Sequence, residues 1–182
     1  MGAHARGRDR RPGNKQMNET TEDLTRLQDL LDQSYEKAGR HLREVITPEK
    51  TLSAKDLCTK LEGMRLLVLA TVTEDGHPLT GAVDGVFYRG AFNFGSSAES
   101  VRIRHIRQRP HVSATHLPGE ELSITVHGRA TLLDMRADEN AELRGVLLAI
   151  YTPRYGAGWE NFLDANVRVR VDADRMFTFH ME

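Results

Sequence analysis

Cysteine is almost absent from this chain: among its 182 residues only Cys58 is one. A single thiol excludes an internal disulfide and fits a reducing compartment. Long apolar runs are missing too, and no stretch of about 18 residues could cross a membrane as a helix. The basic N-terminus lacks the apolar segment of a secretory signal. Gly2 is followed by Ala3, His4, Ala5 and Arg6, without the Ser/Thr of a myristoylation pattern. These absences lead us to expect a soluble, cytoplasmic protein with no membrane partner.

Common catalytic signatures are lacking as well. There is no Walker A sequence, no G-x-G-x-x-G and no G-x-S-x-G; Gly95-Ser96-Ser97-Ala98-Glu99 misses the second glycine of the last. His105, His111, His116 and His127 invite a metal reading. However, His111 and His116 are five apart on one expected strand and face opposite sides, and no H-x₃-H pair or partner cysteine exists. Structural or surface histidines are expected, and no metal.

What is present is unevenly spread. The formal net charge is −1, yet residues 1–15 hold five Lys/Arg against one Asp. Residues 1–17 therefore read as a disordered, solvated basic tail. The remaining body is acidic and carries no nucleic-acid motif, so nucleic acid is not expected as a partner.

Residues 18–64 read as a helical extension. Leu24, Leu27, Leu31, Tyr35, Ala38, Leu42 and Val45 recur at helical intervals as one narrow apolar stripe. The stripe fits packing on the same domain or on a second subunit equally well. Thr47-Pro48 ends it, and Ser53, with Asp56 three residues on, starts a short helix containing Cys58.

From Arg65 the texture turns to strands, giving a third region over residues 65–182. Leu66–Thr73 is an apolar, β-branched run closed by Glu74-Asp75-Gly76-His77-Pro78, and Asp-Gly is a strong hairpin signal. Further strands follow at Leu79–Tyr88, Ala91–Phe94, His111–Leu117 and Leu122–Leu133, the last bent at Gly128. A helix over Ala137–Tyr151 precedes one or two more strands, Val167–Val171 and Met176–Phe179. Short links imply antiparallel pairing. Without sustained strand–helix alternation a doubly wound α/β fold is excluded, and a mainly β, closed or nearly closed barrel with flanking helices is expected.

One segment points to chemistry. After Phe92-Asn93-Phe94-Gly95 come Ser96, Ser97 and Ser100, and then a helix holding Arg102, Arg104 and Arg107. Free N–H groups at a helix start favour an anion, hydroxyls can donate to phosphate oxygens, and arginine adds charge-assisted bonds. The same residues also suit a simple helix cap with a solvated basic face. Arg168 and Arg170 alternate with valines, so they share one strand face, either as an anion site or as the wet side of the barrel. Trp159, the sole tryptophan, reads first as a packing residue, the alternative being a cover over a bound ring or substrate across a dimer.

The order of helix, Leu-Ala-Thr-Val-Thr-Glu-Asp-Gly-His-Pro hairpin, Ser-rich turn, basic helix and Arg109-Pro110-His111-Val112 resembles the pyridoxamine 5′-phosphate oxidase-like FMN-binding split barrels over about Leu52–Asp134. The resemblance implies a homodimer of six-stranded antiparallel split β-barrels, with FMN, or the deazaflavin coenzyme F-420, in the groove between subunits. It implies that Ser96, Ser97, Ser100 and Arg102 hold the cofactor phosphate. The strand backbone at Thr80, Gly81, Ala82 and Val83 would lie along the ring system. Val101 stands where many members carry a second basic residue. The implied activity is a flavin-type oxidoreductase that moves a hydride to or from a small organic substrate. The alternative is a non-catalytic cofactor-binding, carrier or haem-binding protein on the same scaffold.

Overall fold

In a computed structural model that describes residues 17–181, the chain forms a closed barrel with flanking helices. The basic tail expected over residues 1–17 lies, but for Met17, outside the described residues; Met17 itself packs against the barrel core.

Helix α1 (Thr21–Glu36) starts at a capping box. The Thr20 hydroxyl accepts from the Asp23 N–H at 3.1 Å, while the Asp23 carboxylate accepts from the Thr20 N–H at 3.0 Å. The single long helix expected up to Ile46 breaks instead after Glu36. Gly39 has extended backbone, and a second helix, α2 (Arg40–Val45), follows with no buried residue. The apolar stripe is thus used chiefly in α1, where Leu27 and Leu31 are buried against the barrel core and Leu24 packs beside them. Helix α1 packs on its own domain, against β6 and α3 (Ala54–Lys60). The Ser34 hydroxyl joins the layers, accepting from the Met176 N–H at 3.0 Å.

The six strands are β1 (Met64–Val72), β2 (Pro78–Tyr88), β3 (Ala91–Ser96), β4 (His111–Gly119), β5 (Leu122–Leu133) and β6 (Val167–His180). Their order round the barrel is β1-β2-β3-β6-β5-β4, antiparallel throughout. The six-stranded antiparallel barrel read from the sequence is therefore the observed architecture. The β2–β3 turn is Arg89-Gly90, with φ of 48° and 82°, the pair of positive values that a tight hairpin matching strand twist requires.

The two short strands expected near the C-terminus are one continuous β6. It stays paired to β5 through a bulge opposite His127 and Gly128. Gly128 is obligatory there, since a Cβ would sit 2.1 Å from the Asp172 carbonyl oxygen.

Alternation assigns the two strand faces. Leu67, Leu69, Val83, Phe92, Phe94, Val126, Val169 and Val171 point inward and fill the barrel. On the outer face of β2, β3 and β6, helices α5 (Ala141–Tyr155) and α6 (Trp159–Ala165) form a second core with Val86, Leu143, Leu147, Tyr151, Trp159 and Leu163. Among the described residues the outer face of β1 and β4 has no such cover: Leu66 is 64% exposed, Val68 52% and Leu117 62%.

Candidate functional site

Strand β3 ends at Ser96, and after four intervening residues the chain enters α4 (Val101–Gln108). Ser100 is the N-cap, its hydroxyl accepting from the Ile103 N–H at 3.3 Å. The Ser96 and Ser100 hydroxyls are 2.9 Å apart, and the Ser97 hydroxyl accepts from the Glu99 N–H at 3.3 Å. Ile103 and Ile106 bury one side of α4, whereas Arg104 and Arg107 are exposed. That anchoring fixes where the opposite side of the first turn points.

Arg102 points back across the sheet. Its Nη2 donates to the Ala82 carbonyl at 3.4 Å, a long contact that leaves most of the guanidinium free to bond elsewhere. Arg102 lies over Gly81, where an added Cβ would stand 3.1 Å from Nη2. The guanidinium therefore uses the space that a missing side chain opens. Two stretches about 20 residues apart in sequence are thereby joined at one corner of the barrel. Thr80 and Ala82 face outward there and are exposed, paired across β1 with Ala70 and Val68. Val83 points into the barrel, so only its backbone is offered to the outside.

The half-buried Arg102 thus joins the strand backbone at Gly81 and Ala82 to the first turn of α4, whose N-cap Ser100 meets the Ser96 hydroxyl, while the Ser97 hydroxyl is engaged with Glu99. Chemically, a guanidinium with free donors beside a helix start can hold an anion. Arg104, two residues on and about 200° round the helix, is exposed away from that corner. His105 is engaged elsewhere, its Nδ1 3.0 Å from the Thr71 hydroxyl. Among the described residues no group of three His, Cys, Asp or Glu is placed to hold a metal.

Beside this corner lies a cluster that the pattern of alternating arginines only half revealed. Arg170 is partly exposed and pairs with Asp172 at 2.6 Å. Arg168, on the same strand face, is 2% exposed rather than on a wet side, because α5 and α6 close over it. Its guanidinium lies on Gly95, where a Cβ would be 2.7 Å from Nη1, and 5.2 Å from the centre of the Trp159 ring. Trp159 is buried and stacks on Tyr151, ring centres 4.4 Å apart, so it packs as expected for a lone tryptophan. Burial lowers the Arg168 pKa, opposed by Tyr151 and by the negative charge of Asp84. The Tyr151 hydroxyl is pushed well above its ordinary value, first by burial and then by Asp84.

No protein-family model matches the sequence, and no curated protein matches it either. Solved structures do. The haem storage protein HutZ from Vibrio cholerae superposes with a TM-score of 0.55 at 16% identity, covering 74% of this chain and 94% of that one. A candidate pyridoxamine 5′-phosphate oxidase from Listeria innocua gives 0.54 at 17% identity, over 68% of this chain and 95% of that one. A FAD-binding protein from Mesorhizobium loti gives 0.52 at 23% identity, over 71% and 93%. At such identities the likeness is one of fold alone: this chain shares its barrel with proteins described as flavin-binding, haem-storing and oxidase-like.

Proposed function

We propose that this protein binds a flavin and works as an oxidoreductase, transferring a hydride to or from a small organic substrate. FMN is the first choice of cofactor and the deazaflavin coenzyme F-420 the second. The observation that carries the reading is Arg102 lying over Gly81 beside the Ser96–Ser100 hydroxyl pair. The residues fit the group. Gly81 leaves room for the Arg102 guanidinium, the first turn of α4 supplies N–H groups, and Arg102 has donors to spare for a phosphate. When bound, the flavin supplies the hydride chemistry. The chain's own part is to anchor the phosphate at Ser96, Ser97, Ser100 and Arg102, to lay the Thr80–Val83 backbone along the ring, and to keep water away.

Exclusion of water needs a second wall, and the exposed Leu66, Val68 and Leu117 supply the reason to look for it in another copy. Val68 pairs with Ala82, so the apolar patch borders the same corner. His116, whose Nδ1 is 2.8 Å from the Leu66 carbonyl, ties the β4 side of the patch to β1. We take the assembly to be a homodimer with the cofactor groove at its seam; apolar patches of this kind mark such interfaces. The likeness in fold to HutZ supports haem binding as the second reading, with a carrier role. The spectrum of the purified protein separates the two. Flavin bands, or their appearance on adding FMN or F-420, fit the first reading, and a Soret band alone overturns it.

A further inference from the structure

Between α1 and the start of α5, the outer face of β3 and β6 floors a cavity of about 530 Å³. Its floor holds Asn93 of β3 beside its register partner Arg170 of β6, with Ala91 and Asp172 as the next pair along. Leu27 and Leu30 of α1, Leu133 of β5 and Leu143 of α5 supply apolar walls. Asn93 is a polar residue that the fold leaves half satisfied. It is 1% exposed, and its Nδ2 donates to the Ala91 carbonyl at 3.0 Å, which fixes which way round the amide sits. Its Oδ1 is thereby left buried with no donor among the described residues. An acceptor in that state is costly, and because Asn93 lines the cavity, the cavity is where the missing hydrogen can come from. Arg170 has the opposite surplus. Its Nε donates to the Asp172 carboxylate at 2.6 Å, while among the described residues its two terminal nitrogens donate to nothing. The charges that line the cavity cancel, Arg26, Arg89 and Arg170 standing against Asp23, Glu139 and Asp172.

We infer that this cavity is a second ligand site, and that it takes the amide edge of a small neutral molecule, whose N–H donates to Asn93 Oδ1 and whose carbonyl accepts from Arg170. The donor and acceptor inventory selects that chemistry. A carboxylate suits Arg170 but brings no hydrogen for Asn93, and it meets the negative charges of Asp172 and Glu139. An ammonium brings the hydrogen but meets Arg170. An amide brings both a donor and an acceptor side by side and adds no charge to a lining whose own charges cancel. The four leucines suit an apolar body attached to that amide. The site stands independently of the cofactor reading, since neither Asn93 nor Arg170 belongs to the corner at Gly81, Ser96, Ser100 and Arg102.

The test is isothermal titration calorimetry of the full-length protein with benzamide, benzoate and benzylamine, the last cationic at neutral pH. Saturable binding of benzamide at millimolar concentration is expected, with benzoate and benzylamine about ten-fold weaker or worse. No benzamide binding would leave the cavity to water, and equal binding of benzoate or benzylamine would remove the amide preference; either overturns the assignment. Asn93→Leu, which keeps the volume and removes the acceptor, should weaken benzamide about ten-fold. If that variant fails to fold, Arg170→Met, at a side chain 44% exposed, should weaken it similarly. Wild-type affinity in a folded variant of either kind would overturn the site. FMN, followed by its own spectrum, should not compete with benzamide, and competition would move the amide to the cofactor corner and refute this cavity. Benzamide bound by a protein that binds no flavin would refute the cofactor reading alone.

Discussion

Arg102→Ala separates the two things an arginine can do here, hold the fold or hold a ligand. Among the described residues the side chain makes one hydrogen bond, to the Ala82 carbonyl at 3.4 Å. Losing such a contact should change stability by no more than about 0.5 kcal/mol, which for a domain of this size moves Tm by roughly 1–2 °C. Losing a charge-assisted bond to a cofactor phosphate should weaken binding by about 1.5–3 kcal/mol, roughly a ten- to hundred-and-fifty-fold rise in Kd. Quenching of FMN fluorescence on titration with protein measures Kd, and a thermal melt of the same samples measures stability. Arg102→Lys should recover only part of the loss, because an ammonium cannot grip a phosphate with a planar fork. Wild-type affinity in Arg102→Ala would remove this residue from the site. A large fall in Tm would make it a structural residue instead.

Other consequences are independent of the cofactor. Gly128→Ala drives a Cβ to within 2.1 Å of the Asp172 carbonyl oxygen, backbone against backbone, and should cost about 3 kcal/mol or more, lowering Tm by roughly 6–12 °C; an unchanged melt would mean that the β5–β6 bulge is not as drawn. Burial, with the charges of Glu19 and Asp23 behind it, pushes the Cys58 thiol up to about 12, so thiol reagents at neutral pH should label it only as fast as the chain opens; immediate labelling of native protein would contradict this. Burial alone would raise the Asp23 carboxyl, but hydrogen bonds from Thr20 and Arg26 outweigh it and hold the pKa below its ordinary 3.8. Because the folded pKa is the lower one, the stabilisation is present above that ordinary value and is lost as pH falls through the folded value. The urea midpoint of wild type should accordingly exceed that of Asp23→Asn at neutral pH and converge with it in acid, and a difference independent of pH would refute the account.

The barrel was legible because alternation and turn chemistry survive in single residues. Arg89-Gly90 closed its hairpin as a tight turn, Asp75-Gly76 lay in the longer loop from β1 to β2, and Gly128 marked the bend. The long helix was misread past Glu36, because the heptad pattern runs on through Ala38 and Leu42 while the extended backbone at Gly39 breaks it. Ser96, Ser100 and Arg102 could be read as an anion site from residue types alone, but their junction with Gly81 was reachable only through resemblance, since nothing in the spacing says that Arg102 turns back over Gly81. Arg168 is the instructive miss. Its alternation with valines identified the face it shares with Arg170, but whether that face is wet depends on α5 and α6, and a strand pattern carries no record of what folds over it. Gly95, which makes room for its guanidinium, looked like a simple end to β3.

The most direct test of the central claim is the visible absorption spectrum of the full-length protein, recorded as purified and again after incubation with FMN, F-420 or haemin and removal of unbound ligand. Retention of FMN or F-420 in proportion to protein, abolished or strongly weakened in Arg102→Ala, is the expected result. No flavin retained at tens of micromolar, or a Soret band as the only signal, would contradict the account.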